Sequence, residues 1–190
     1  NDPRNSFLND VLERKTGIPI SLSILYLDIA RRLNIPAQGI GLPGHFIVGV
    51  VEEGVTWYLD PFNGGGRLSI NECARLVEVT TGYQGPFQYH WLTPADPGAI
   101  TARLLNNLRA IYAQDQKWDK ALATIELLRM VQPDVPEHLR DLGLIHYRKG
   151  ATVMAAHYLE SYLQQVPDAA DAQTIRDGIA ETLDEWARRN

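Results

Sequence analysis

At 190 residues the chain can hold one medium domain or two small ones, and 45% hydrophobic with 22% charged residues is the composition of an ordinary soluble globular protein. The net charge of -5 is spread evenly, so neither half has the basic stripe that nucleic acid or an anionic membrane surface requires. No apolar run reaches the roughly 18 residues of a membrane span, and a single cysteine, Cys73, excludes an internal disulfide or a cysteine-rich zinc site and suits a reducing cytoplasm.

The chain starts at Asn1 without a methionine, as a fragment or a processed form does. Residues 1–16 pass from turn-formers into an apolar pattern at Phe7, Leu8, Val11 and Leu12, whose spacing predicts one amphipathic helix. Thr16-Gly17 interrupts it, and Pro19 then stands where proline is tolerated, in the first turn of a new helix. That helix, Ile20 to about Leu33, carries Leu22, Ile24, Leu25, Leu27, Ile29 and Ala30 with little polar surface, which predicts a largely buried central helix. Asn34 and Pro36 stop it.

Residues 37–41 read as a short strand, and Leu42-Pro43-Gly44 turns the chain into His45, which opens the apolar strand Phe46–Val51. Glu52-Glu53-Gly54 is a turn into Val55–Leu59, so the two strands form an antiparallel hairpin. The pairing brings His45 at one strand end beside Asp60 at the other. Pro61–Gly66 reads as a flexible loop, Asn71–Val79 as a helix bearing Cys73, and residues 80–99 as an irregular connector. From Ala102 the chain repeats itself at the ~34-residue period of tetratricopeptide helix pairs: Leu108 with Leu142, Ala121 with Ala155, Pro133 with Pro167. Residues 170–190, with Ile175, Ile179, Leu183 and Trp186 on one face, read as a capping helix.

A histidine fixed by a carboxylate is a candidate general base, the Asp setting the imidazole tautomer and stabilising its protonated form. The same pair at a sheet rim also serves as a plain structural latch. His90, His138, His146 and His157 have no metal-ligand spacing, so neither a metal nor another cofactor is expected. Trp57, Tyr58, Trp91 and Trp118 read as core or interface rather than as a base-stacking platform.

The segments Asn34-Ile35-Pro36-Ala37, Gly44-His45-Phe46 and Tyr58-Leu59-Asp60-Pro61 resemble the transglutaminase-like core of the papain-type superfamily. More closely, NSFLNDVLERKTGIPISLSILYLDIARRL, GLPGHFIVGV and DPFNGG, followed by tetratricopeptide repeats, look like the bacterial SirB-type transglutaminase-like/repeat proteins, from about Asn5 to about Ala172. The resemblance implies a helical segment ahead of this chain and a loosely regulatory role. It also implies a Cys–His–Asp site with His45 and Asp60 as histidine and aspartate. The nucleophile then falls at or near Pro19, which has no thiol. Cys73, on another segment, is a poor substitute. Ser21 and Ser23 lie in the first turns of the right helix, where a Ser21–His45–Asp60 triad needs a shifted register and the plainer role is a capping or packing hydroxyl.

The sequence thus predicts an α+β class: a transglutaminase-like (papain-type) core with a central helix and antiparallel sheet over 1–95, then an all-α domain over 100–190 with repeats at about 102–135 and 136–169. The expected function is that of a pseudoenzyme, a cytoplasmic scaffold or regulator binding a protein or peptide partner, with no nucleic acid or membrane partner. On the repeats Arg103, Asn106, Arg140, Tyr147 and Arg148 are the expected peptide-binding residues, Arg140 and Arg148 being suited to a carboxylate. Two rival expectations stand beside it. One is an amide or ester hydrolase or acyl transferase using Ser21 or Ser23 with His45 and Asp60. The other is an interaction module in which the His45–Asp60 pair is only a latch.

Overall fold

The computed structural model describes the backbone of residues 2–189 and the side chains of residues 2–180. It has two compact units, one ending at Leu104 and the other starting at Leu105.

The first unit begins with a 3-10 turn (Pro3–Ser6) and then helix α1 (Leu8–Arg14), the one helix that the apolar spacing predicts. Only Val11 of its apolar positions is buried, while Phe7 and Leu12 are exposed, because a seven-residue helix offers one inward row. Helix α2 (Pro19–Arg32) takes Pro19 as its first residue, where the missing amide has no intrahelical partner to lose. The expectation that α2 is largely buried does not hold. Ile20, Ser21, Ser23 and Ala30 are buried, yet Ile29 is 57% and Leu33 64% exposed, since α2 packs one face onto the sheet. Asn34, in the left-handed region at φ 57°, turns the chain out of the helix.

The sheet is β1 (Ala37–Ile40), β2 (Ile47–Glu52), β3 (Val55–Asp60) and β4 (Gly66–Leu68), antiparallel in that order. Glu53 (φ 50°) and Gly54 (φ 79°) close the β2–β3 hairpin with two left-handed residues, a turn whose twist matches that of the flanking strands. Two strand details differ from expectation. His45 precedes β2 by two residues instead of opening it, held in a turn by its own amide bonding to the Leu42 carbonyl. Gly66–Leu68 leaves the glycine-rich loop to pair with β3 as a fourth strand too short to show any alternation.

Helix α3 (Ile70–Thr81) starts at Ser69, whose hydroxyl accepts from the Glu72 amide while the Glu72 carboxylate accepts from the Ser69 amide. It covers the sheet with Cys73 and Val77, which join Ile40, Leu42, Ile47 and Leu92 in one apolar core. Residues 94–95 cap the free edge of β1, through a bridge from Ile40 to Pro94 and the Ala95 amide on the Gly39 carbonyl. Helix α4 (Pro97–Gln114) follows a short 3-10 turn at Tyr89–Leu92.

In the second unit the end of α4 is followed by α5 (Trp118–Val131), α6 (Glu137–Arg148), α7 (Thr152–Gln165) and α8 (Ala172–Arg189). The sequence period is also a backbone period. Lys117 and Ala151 enter α5 and α7 at φ/ψ of -82°/66° and -84°/66°, and Gln132 and Val166 leave them at an identical -133°/70°. The small residues sit where helices meet: a Cβ on Gly143 falls 2.6 Å from the Leu159 side chain. Ile175 and Ile179 of α8 are buried against α7, as a capping helix requires, whereas Leu183 and Trp186 lie outside the described side chains.

Candidate functional site

His45 and Asp60 are brought together by the β2–β3 hairpin. The His45 Nε2–H donates to Asp60 Oδ2 at 2.9 Å, and both side chains are almost wholly buried, with His45 4% and Asp60 2% exposed. That bond places the proton of the neutral ring on Nε2 and leaves Nδ1 as the accepting nitrogen. Asp60 is held in turn by the start of its own loop. Its Oδ1 accepts from the Phe62 and Asn63 amides at 3.0 and 3.3 Å, and its Oδ2 also accepts from the Asn63 side-chain amide at 2.7 Å. The Phe62 ring stands edge-on to the imidazole at 5.9 Å. Neither Phe62 nor Asn63 is singled out by the sequence reading, although an Asp two and three residues before the amides it accepts from is a recognisable turn signal.

The backbone around His45 is equally fixed. Gly44 has φ 70°, and a Cβ there falls 2.5 Å from Thr80 Oγ1, so this position needs glycine both for its conformation and for the close approach of α3. Arg103 donates from one guanidinium nitrogen to the Leu42 and His45 carbonyls at 2.8 and 2.7 Å. Burial pushes its pKa down, and its charge is set against these carbonyl dipoles and the Phe46 ring, 5.6 Å away. Arg103, expected to line a peptide groove, buttresses the His45 turn.

At the start of α2, Pro19 supplies no acyl-accepting group. The Ser21 hydroxyl donates to the Asn5 carbonyl at 2.6 Å and accepts from the Ile18 amide at 3.0 Å, tying α2 to the first 3-10 turn. Ser23 donates to the Phe46 carbonyl at 3.3 Å. Both hydroxyls are buried in structural bonds. The Cys73 thiol is enclosed in the apolar core, and burial raises its pKa to about 11, the reverse of what a nucleophilic thiolate needs.

Of the other expected peptide-binding residues, Arg140 is engaged within its own unit. Its guanidinium is engaged by Asp171 at 3.1 Å and by Asp141, and Asp171 further accepts from the Tyr162 hydroxyl at 2.9 Å, so Arg140 closes a network within the second unit. Arg109 pairs with Asp141 in the same network. Asn106 is half-buried, while Tyr147 and Arg148 are exposed, with no polar partner for either side chain among the described residues. Among the described residues no group of three His, Cys, Asp or Glu side chains is placed to hold a metal ion, and no helix is long and apolar enough to cross a membrane.

Comparison with known proteins divides the chain in the same place as the fold does. Residues 1–106 match the family model described as the transglutaminase-like superfamily, and residues 108–180 match the tetratricopeptide repeat model. A UPF0162 protein of Xylella fastidiosa is 37% identical over 188 residues, covering 97% of this chain and 66% of the relative. The UPF0162 protein YchA of Escherichia coli K12 is 28% identical over 174 residues, covering 91% of this chain and 64% of the relative. The mouse F-box only protein 21 is 30% identical over 159 residues, or 77% of this chain and 24% of that protein. The chain spans about two thirds of the length of the bacterial relatives.

Proposed function

We propose that this chain, which belongs to the transglutaminase-like superfamily, keeps the frame of an acyl-transfer site without its nucleophile and acts as a scaffold or regulator that binds a protein or peptide. The observation that carries this reading is the state of the α2 N-terminus. Beside a buried, bonded His45–Asp60 pair the chain presents a proline and two hydroxyls already committed to the Asn5 and Phe46 carbonyls. An imidazole can raise the nucleophilicity of a group only if that group reaches its free nitrogen with a proton to give. Freeing Ser21 for that task breaks its bonds to Asn5 and Ile18 inside a buried site, where each lost bond costs about 1–3 kcal/mol. The serine-hydrolase alternative is therefore the weaker reading.

Partner binding falls to the repeats, a helical architecture that commonly mediates protein interactions. Exposed Leu144, Tyr147 and Arg148 lie together on α6 and combine apolar area, an amphipathic ring and an exposed cation, which suits a peptide carrying a carboxylate beside an apolar residue. We place this activity in the cytoplasm. The test is capture of acidic-hydrophobic peptides from a defined array. Arg148→Glu and Tyr147→Ala should each weaken capture about tenfold, with His45→Ala neutral. Capture lost with His45→Ala but kept in the two α6 variants would move the binding site to the dyad and overturn the assignment to the repeats.

A further inference from the structure

The loop that follows β3 grips Asp60 through two groups of a single residue, the Asn63 main-chain amide at 3.3 Å and the Asn63 side-chain amide at 2.7 Å. Asn63 is also the only asparagine of the chain that a glycine follows. That neighbour matters chemically. The main-chain nitrogen after an asparagine can attack the side-chain carbonyl carbon, and a Cβ on the residue that carries this nitrogen obstructs the approach.

The loop is open to such an attack. Asn63 and Gly64 are exposed, and the Gly64 amide donates to no group among the described residues. A Cβ built on Gly64, Gly65 or Gly66 meets nothing within 4 Å, so the backbone can turn there without displacing a neighbour.

We infer that Asn63 is a deamidation site whose conversion releases the loop's grip on Asp60. The Gly64 nitrogen gives its proton to hydroxide and bonds to Asn63 Cγ. The Cγ–Nδ2 bond then breaks with its electron pair, and the nitrogen takes a proton from water and leaves as ammonia. Water opens the resulting five-membered ring: cleavage of the new bond to Cγ gives aspartate, and cleavage of the bond to the main-chain carbonyl carbon gives isoaspartate. Nothing is oxidised or reduced. Either product removes the Nδ2 donor and sets a second carboxylate beside that of Asp60, where like charges repel. Isoaspartate also lengthens the main chain by a methylene carbon inside the turn that the Gly65 amide closes on the Asp60 carbonyl at 2.7 Å. The site depends on neither the repeats nor a partner.

The test is peptide mapping by mass spectrometry of the intact chain after incubation at neutral and mildly alkaline pH. Asn63 should convert at least ~10-fold faster than Asn5, whose follower Ser6 carries a Cβ. The rate should rise with hydroxide, and ammonia should appear in equal amount. In the converted protein the Phe62 and Gly65 amide hydrogens should exchange about 10-fold faster, the scale of one lost charge-assisted hydrogen bond. Asn63→Gln, whose longer side chain has to close a larger ring, should stay unmodified. Asn63→Asp should show the faster exchange from the start, and the converted chain supplies the same reading if that variant does not fold. Conversion of Asn63 only in the urea-unfolded chain, conversion no faster than that of Asn5, or unchanged Gly65 exchange in the converted protein overturns the inference.

Discussion

Asp60 holds more of this molecule than a catalytic carboxylate alone would. One buried side chain accepts from His45, from two successive backbone amides and from Asn63, so it fixes the imidazole, ends β3 and starts the glycine-rich loop. Removing it takes the acceptor from four donors, of which the His45 ring is buried while the Phe62 and Asn63 groups belong to exposed residues. Asp60→Ala should therefore cost the first unit roughly 3 kcal/mol, measured by denaturant unfolding. His45→Ala, which removes one donor and leaves Asp60 its other three, should cost less. An inverted order would place the stabilising role in the imidazole.

Among the elements, the turn before β2 and helix α6 make the sharpest predictions. Gly44 joins a left-handed backbone to a close approach by Thr80 of α3. Gly44→Ala should cost about 2 kcal/mol or more, from backbone strain together with crowding. It should also lengthen the His45–Asp60 bond, visible as a change in the His45 ring resonances. In α6, His138 is buried with no hydrogen-bond partner on either ring nitrogen among the described residues. Burial pushes its pKa down, with the nearby Arg109 and Arg129 acting in the same sense and Asp141 and Glu137 opposing. The unfolded chain binds a proton at about pH 6.5 that the folded one resists, so the stability present above that pH is lost as pH falls below it. Thermal unfolding of the second unit from pH 7.5 to 5 should show this decline, and His138→Leu should flatten it. A decline undiminished in His138→Leu would assign it to other groups.

At the scale of the whole molecule, regular features were legible in the sequence and long-range bonds were not. The repeats could be read because Ala121/Ala155 and Pro133/Pro167 recur at one offset and each helix pair packs mainly on its neighbours. The hairpin could be read from Glu53-Gly54, and with it the nearness of His45 to Asp60. Spacing carried no sign of β4, whose three residues are defined only by pairing with β3, nor of the exposed side of α2, whose apolar residues look the same whether covered or not. The bonds that Arg103 and Arg140 make inside the fold are not legible in a single sequence, which does not display the carbonyls and carboxylates that the fold brings to them. The committed hydroxyl of Ser21 belongs to the same class, since its partner, the Asn5 carbonyl, lies sixteen residues away.

A catalytic frame without a nucleophile should turn over no acyl substrate. Purified chain would be incubated with a glutamine-containing peptide and a primary amine, and in parallel with activated ester substrates, beside the His45→Ala and Asp60→Asn variants. The account predicts that ammonia and acid release stay at the level of buffer for all three proteins, with no acyl adduct by mass spectrometry on Ser21, Ser23 or Cys73. Turnover by the unaltered chain that disappears in a folded His45→Ala variant would contradict it.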